Sequence, residues 1–92
     1  MAIFDTTTAL PPEDVLGLAK TFFATRVPAT ACFVEQSSAR HVVLRGQGGE
    51  EVVIAATPAG GGSAVRGSSL MFGQQVKRFF TTLPPAAAQG AA

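Results

Sequence analysis

The chain has 92 residues, 47% of them hydrophobic and only 14% charged, with seven basic and six acidic side chains for a net charge of +1. A chain this short forms one small domain that buries only ~60–65% of the surface its unfolded form exposes. So small a domain with so much apolar material points to part of that material lying in an interface. The near-zero charge and the absence of a basic tract exclude the electrostatic footprint of a typical nucleic-acid binder.

Only one cysteine is present, Cys32, so no disulfide forms within the chain and no multi-cysteine metal site exists. A reducing, cytoplasmic setting is expected. The opening MAIFDTTTAL has neither the basic start nor the long apolar core of a secretory leader, and no run of about 18 apolar residues occurs to span a membrane.

In chain order, Ala2 to Thr8 reads as an edge strand, with Phe4, Thr6 and Thr8 on one face and Ile3, Asp5 and Thr7 on the other. Leu10-Pro11-Pro12-Glu13-Asp14 starts a helix, because proline is tolerated in the first turn and acidic side chains there complement the helix dipole. From Glu13 to about Arg26 an apolar stripe of Val15, Leu18, Ala19 and Phe22, widened by Leu16 and Phe23, predicts a helix lying on a sheet. Pro28 stops it, and Ala31 to Gln36 reads as the second strand, with a turn from Gln36 to Arg40.

His41 to Thr57 is the organising stretch. Val42, Val43 and Leu44 lead into Gly46-Gln47-Gly48-Gly49, and Glu50-Glu51 leads into Val52, Val53 and Ile54, the pattern of a central β-hairpin. A loop at Pro58 to Gly62 returns the chain into a fifth strand from Ser63 to about Leu70. Phe72, Val76, Phe79, Phe80 and Leu83 then mark a second amphipathic helix, ended by Pro84-Pro85. Residues 84–92 are expected to form a flexible Pro/Ala-rich tail after a single domain over 1–83.

The expected fold is α+β: a five-stranded, mainly antiparallel sheet in the order β-α-β-β-β-β-α, with two helices on one face. This order of elements resembles two known groups, the TATA-box-binding-protein-like fold and a shortened form of the helix-grip fold of Bet v 1 and START proteins. The second resemblance implies a pocket for a small apolar ligand between helices and sheet, lined by Phe33, Leu44, Ile54, Phe79 and Phe80. The first implies use of the sheet face against nucleic acid, for which Arg40, Arg45 and Arg66 would supply cations. The charge balance and the lack of aromatic residues on that face weigh against nucleic acid, and the three arginines read more simply as partners of Glu35, Glu50 and Glu51.

Alternation along the strands sets the functional expectation. With Val42, Leu44, Val52, Ile54 and Ala56 toward the helices, the reverse face carries Val43, Arg45, Val53 and Ala55 with His41 and Glu51 around them. Valines at the centre of a nominally outer face imply cover by a second molecule, so a homodimer through Val43, Arg45, Val53 and Ala55 is expected.

No catalytic signature stands out. The glycine-rich stretches at 46–49 and 60–62 sit between strands rather than before a helix, as a phosphate cradle requires. Cys32 with His41 could pair a nucleophile with a base, but no third group orients them and a buried thiol is the default reading of Cys32. The expectation is therefore a non-enzymatic interaction module without cofactor or metal, self-associating, with an unidentified protein or a small apolar ligand as its other possible partner.

Overall fold

The computed structural model describes residues 2–26, 32–46 and 48–85. The chain folds as a five-stranded sheet and two helices. The strands are β1 (Ala2–Thr8), β2 (Phe33–Ser37), β3 (His41–Arg45), β4 (Glu51–Ala59) and β5 (Gly62–Ser69), and the helices are α1 (Pro12–Thr21) and α2 (Gly73–Thr81). They lie side by side in the order β1-β5-β4-β3-β2, with every pairing antiparallel. The α+β class and the element order are those expected from the sequence.

Burial follows the two-residue period of the strands. Val42 and Leu44 of β3, Val52, Ile54 and Ala56 of β4 and Val65 of β5 are buried on one face, under Val15, Leu16 and Ala19 of α1 and Val76 and Phe79 of α2. Phe22 and Phe23 complete the core: their rings stand edge-on at 5.1 Å, and each meets the Phe79 ring, at 5.5 and 5.9 Å.

Several boundaries differ from the periodicity reading. The first helix does not run unbroken to Arg26; Phe22–Arg26 continues it as a wider π-helical turn, which accommodates two consecutive buried rings, Phe22 and Phe23. Leu18 falls outside the stripe and is 44% exposed, because the buried set Val15, Leu16, Ala19, Phe22 and Phe23 centres near Ala19, about 100° further round the helix. The expected loop at Pro58 to Gly62 shrinks to a two-residue turn. Ala59 pairs with Gly62, and Gly60 and Gly61 both take positive φ, 54° and 85°, the conformation that matches strand twist in a tight hairpin. Pro58 is tolerated in β4 because the pairing with β3 ends at Ala55.

The chain past α2 is tied down further than expected. Pro84, assigned to the tail, accepts a 2.6 Å hydrogen bond from the buried Thr8 hydroxyl, so the end of α2 is fastened to the end of β1. Pro85, the next residue of the expected tail, is exposed; residues 86–92, and Ala31 at the start of the second strand, lie outside the described residues. Ser69 fastens the other end of α2, donating to the Glu51 carbonyl at 2.7 Å and accepting from the Phe72 N–H at 3.0 Å.

Gly67 sets how closely α2 approaches the sheet. A Cβ at this position would lie 2.5 Å from Val76 Cγ1 and 3.1 Å from Ile54 Cδ1, whereas one at Gly17, on the exposed side of α1, would meet nothing within 4 Å. The two alanine substitutions should therefore act in opposite directions in urea or thermal unfolding. Gly67→Ala lowers stability by about 1–3 kcal/mol through overpacking, and Gly17→Ala raises it by about 0.5–1 kcal/mol through helix propensity.

Candidate functional site

The face of the sheet turned away from the helices is the candidate site. Strand register arranges it in rows. One row runs Ile3, Ser68, Val53, Val43 and Gln36; the next runs Asp5, Arg66, Ala55 and His41; a third holds Thr7, Ala64 and Thr57; and Glu51, Arg45 and Phe33 lie at the opposite end. Both helices pack on the other side, so Val43, Val53 and Ala55 have only their neighbours on the face itself to cover them and are half-buried. The expected interface residues Val43, Arg45, Val53 and Ala55 are thus adjacent on one open surface.

Charges on this face are paired with one another. Arg45 holds Glu35 through two hydrogen bonds, Nε to Oε2 at 3.1 Å and Nη2 to Oε1 at 2.7 Å. The same guanidinium reaches Glu51 at 3.2 Å and the Gly49 carbonyl at 2.9 Å. Its reach to Glu35 follows from an irregularity in the β2–β3 ladder between Val34 and Gln36, which leaves Glu35 as the extra residue. Arg66 pairs with Asp5 across β5 and β1 at 2.8 Å. Hydrogen bonding to these carboxylates raises the pKa of both arginines, and the Arg45 hydrogen bond lowers that of Glu35. Two of the three arginines considered for anion binding are thereby committed to carboxylates, and all lie in exposed settings where such pairs add little to stability.

Between Asp5 and Arg66 at one side and the small residues Thr7, Ala55, Thr57 and Ala64, the face sinks into an open trough of about 650 Å³. No comparable space borders the residues expected to line a ligand pocket. Leu44, Ile54 and Phe79 have no exposed surface at all, so no void large enough for water adjoins them. Phe80 is partly buried against the same core. Phe33 does not join them: it is 56% exposed and sits opposite Arg45 on the reverse face, turned away from both helices, and all five residues of its strand are exposed.

The other sequence candidates are separated or occupied. Cys32 is 3% exposed, with its N–H donating to the Phe23 carbonyl at 3.0 Å. It immediately precedes Phe33, opposite the last residue of β3, whereas His41 is the first. Four residues of strand, about 13 Å, and the thickness of the sheet lie between them. His41 instead meets Ser38, Nδ1 to Oγ at 2.6 Å. The Ser38 oxygen already accepts from the N–H groups of Arg40 and His41, both at 3.2 Å, so its own proton goes to Nδ1. Sequence reasoning missed this contact, although Ser-x-x-His across a tight turn is its signature; its work is to close the β2–β3 turn. In the glycine-rich turn, the Gly48 N–H is taken by Glu50 Oε1 at 2.9 Å, so the chain's own carboxylate occupies the place of an anion. Among the described residues no group of three metal-ligating side chains occurs, and no buried side-chain nitrogen or oxygen lacks a hydrogen-bond partner. No helix among them is long and apolar enough to cross a membrane.

Comparison with protein families, curated proteins and solved structures finds no significant match. The reading of the site therefore rests on its geometry.

The Glu35–Arg45 pair gives a pH signature. Protonating Glu35 in the folded chain gives up its bonds to Arg45, so its folded pKa lies below the unfolded one. The stabilisation is present above the unfolded glutamate range and fades as pH falls through the depressed folded value. Melting temperature measured against pH should thus fall more steeply on the acid side for the natural chain than for Glu35→Gln; parallel curves would show that the pair contributes nothing.

Proposed function

We propose that this chain is a non-enzymatic protein-interaction module that self-associates through the open face of its sheet, in a cytoplasmic setting. The observation that carries this reading is the adjacency of Val43, Val53 and Ala55 on a face that neither helix covers. A strand face meant for water alternates polar outward, yet β3 and β4 place valines there. Charged groups stand beside this apolar centre and neutralise one another, the arrangement of an interface with a polar rim. The buried thiol of Cys32, the one cysteine of the chain, is in keeping with a reducing compartment.

A binder of a small apolar ligand is the second reading, in line with the resemblance to helix-grip proteins. The observation that favours it is the trough, whose volume falls in the range of small-molecule sites; the ligand would lie on the open face and not among the phenylalanines.

Sedimentation equilibrium across the micromolar range, with native mass spectrometry of the purified protein, tests both. Self-association gives a particle heavier than the 9.4 kDa chain, with a mass that rises with concentration. A monomer at every concentration overturns the module reading, and a reproducible small-molecule adduct on that monomer puts the ligand reading in its place.

A further inference from the structure

The open face is uneven along its strands. Toward the end marked by Glu51 and Arg45 it carries Ile3, Val53 and Val43; toward the other end it carries Thr7, Ala64, Thr57 and Ala55, and there it forms the trough of about 650 Å³. We propose that a second copy of this chain stacks on the face turned end for end, so that Val53 and Ile3 of each copy lie over the Ala55 and Asp5 side of the hollow of the other. This rests on the self-association reading above and specifies its geometry.

Symmetry makes the fit reciprocal. A twofold axis lying between the sheets, across the strands and between the Val53 and Ala55 rows, sets Val53 opposite the other copy's Ala55 and Val43 opposite its His41. Both contacts occur twice, as a closed isologous dimer requires. Turned the other way, about an axis along β4, Val53 would face Val53 and Ala55 would face Ala55, large against large and small against small, forfeiting the contacts that close packing supplies.

Area and charge agree with this arrangement. Five strands at ~4.8 Å spacing and ~3.3 Å per residue offer ~400–700 Å² per copy, so a stack about 10 Å between sheets buries ~800–1,400 Å² in total. That reaches the ~1,000 Å² expected of a specific interface. In the end-for-end stack Arg66 lies opposite Ser68 and Glu51 opposite Thr57, so no like charges confront one another, and the Arg66–Asp5 and Arg45–Glu35 pairs enter already neutralised.

The test uses two charge insertions and one cross-link. Ala55→Arg and Thr57→Glu each place a charge in the hollow, the second facing Glu51 of the other copy, and Thr57 is exposed, so at least the second should melt as the natural chain does. Each should raise the dimer dissociation constant at least ~30-fold in sedimentation. In a Cys32→Ala background, chains carrying Val53→Cys and chains carrying Ala55→Cys, mixed and treated with a short bismaleimide, should cross-link to each other faster than either does to itself. Two folded charge variants with undiminished dimerisation would overturn the stack while leaving self-association standing. Faster self-linking of Val53→Cys would overturn the end-for-end orientation. A monomeric natural chain would remove this inference together with the reading beneath it.

Discussion

Two helices can cover only one side of a five-stranded sheet, and the central hairpin of this chain has apolar side chains on both. Everything distinctive about the molecule follows from that mismatch. Val42, Leu44, Val52 and Ile54 are sealed under α1 and α2, and the same strands carry Val43 and Val53 to the opposite side because alternation leaves no other choice. An all-apolar strand is at home in a sheet shielded on both faces. Here the chain itself supplies the shield for one face only, and the second face stays open.

The polar residues around that face are committed to one another. Arg45 and Arg66 would make an anion site if they were unpaired, but each is held by two side-chain hydrogen bonds to a carboxylate of its own chain. The Gly48 amide is likewise engaged, by Glu50. Such internal neutralisation lowers the cost of bringing an uncharged or self-neutralised surface against the face, and it removes the attraction that a phosphate backbone would need. The interior points the same way: rings of Phe22, Phe23 and Phe79 in mutual contact leave the space between helices and sheet filled.

Most of the fold could be read from residue order alone. The hairpin of β3 and β4, the antiparallel class and the face carrying Val43, Val53 and Ala55 all follow from β-branched runs, glycine turns and a two-residue period. What could not be read depended on contacts between distant segments or on packing detail. The π-helical turn reflects the joint burial of Phe22 and Phe23, which a 3.6-residue period does not encode. Phe33 reads as core by composition, yet register sets it opposite Arg45 on the face away from the helices and leaves it exposed. The Glu35–Arg45 bond depends on a ladder irregularity that no composition rule foretells. The trough depends on which small residues register brings side by side, Thr7 from β1, Ala64 from β5 and Thr57 from β4.

The latch between Thr8 and Pro84 joins residues 76 apart in the chain, and β1, made first, pairs only with β5. During synthesis the first strand therefore emerges long before its neighbour exists. The meander of β2 to β5 can zip through local turns, but β1 must wait for β5, and its fastening waits for the last turn of α2 to leave the ribosome. Joining the sheet's first strand to its neighbour is a late, non-local event whose loop-closure cost falls near the end of folding. Until then Phe4 and the flank of β5 stay uncovered, and a nascent chain halted before Pro84 would lack the bond that ties the end of β1 to the segment after α2.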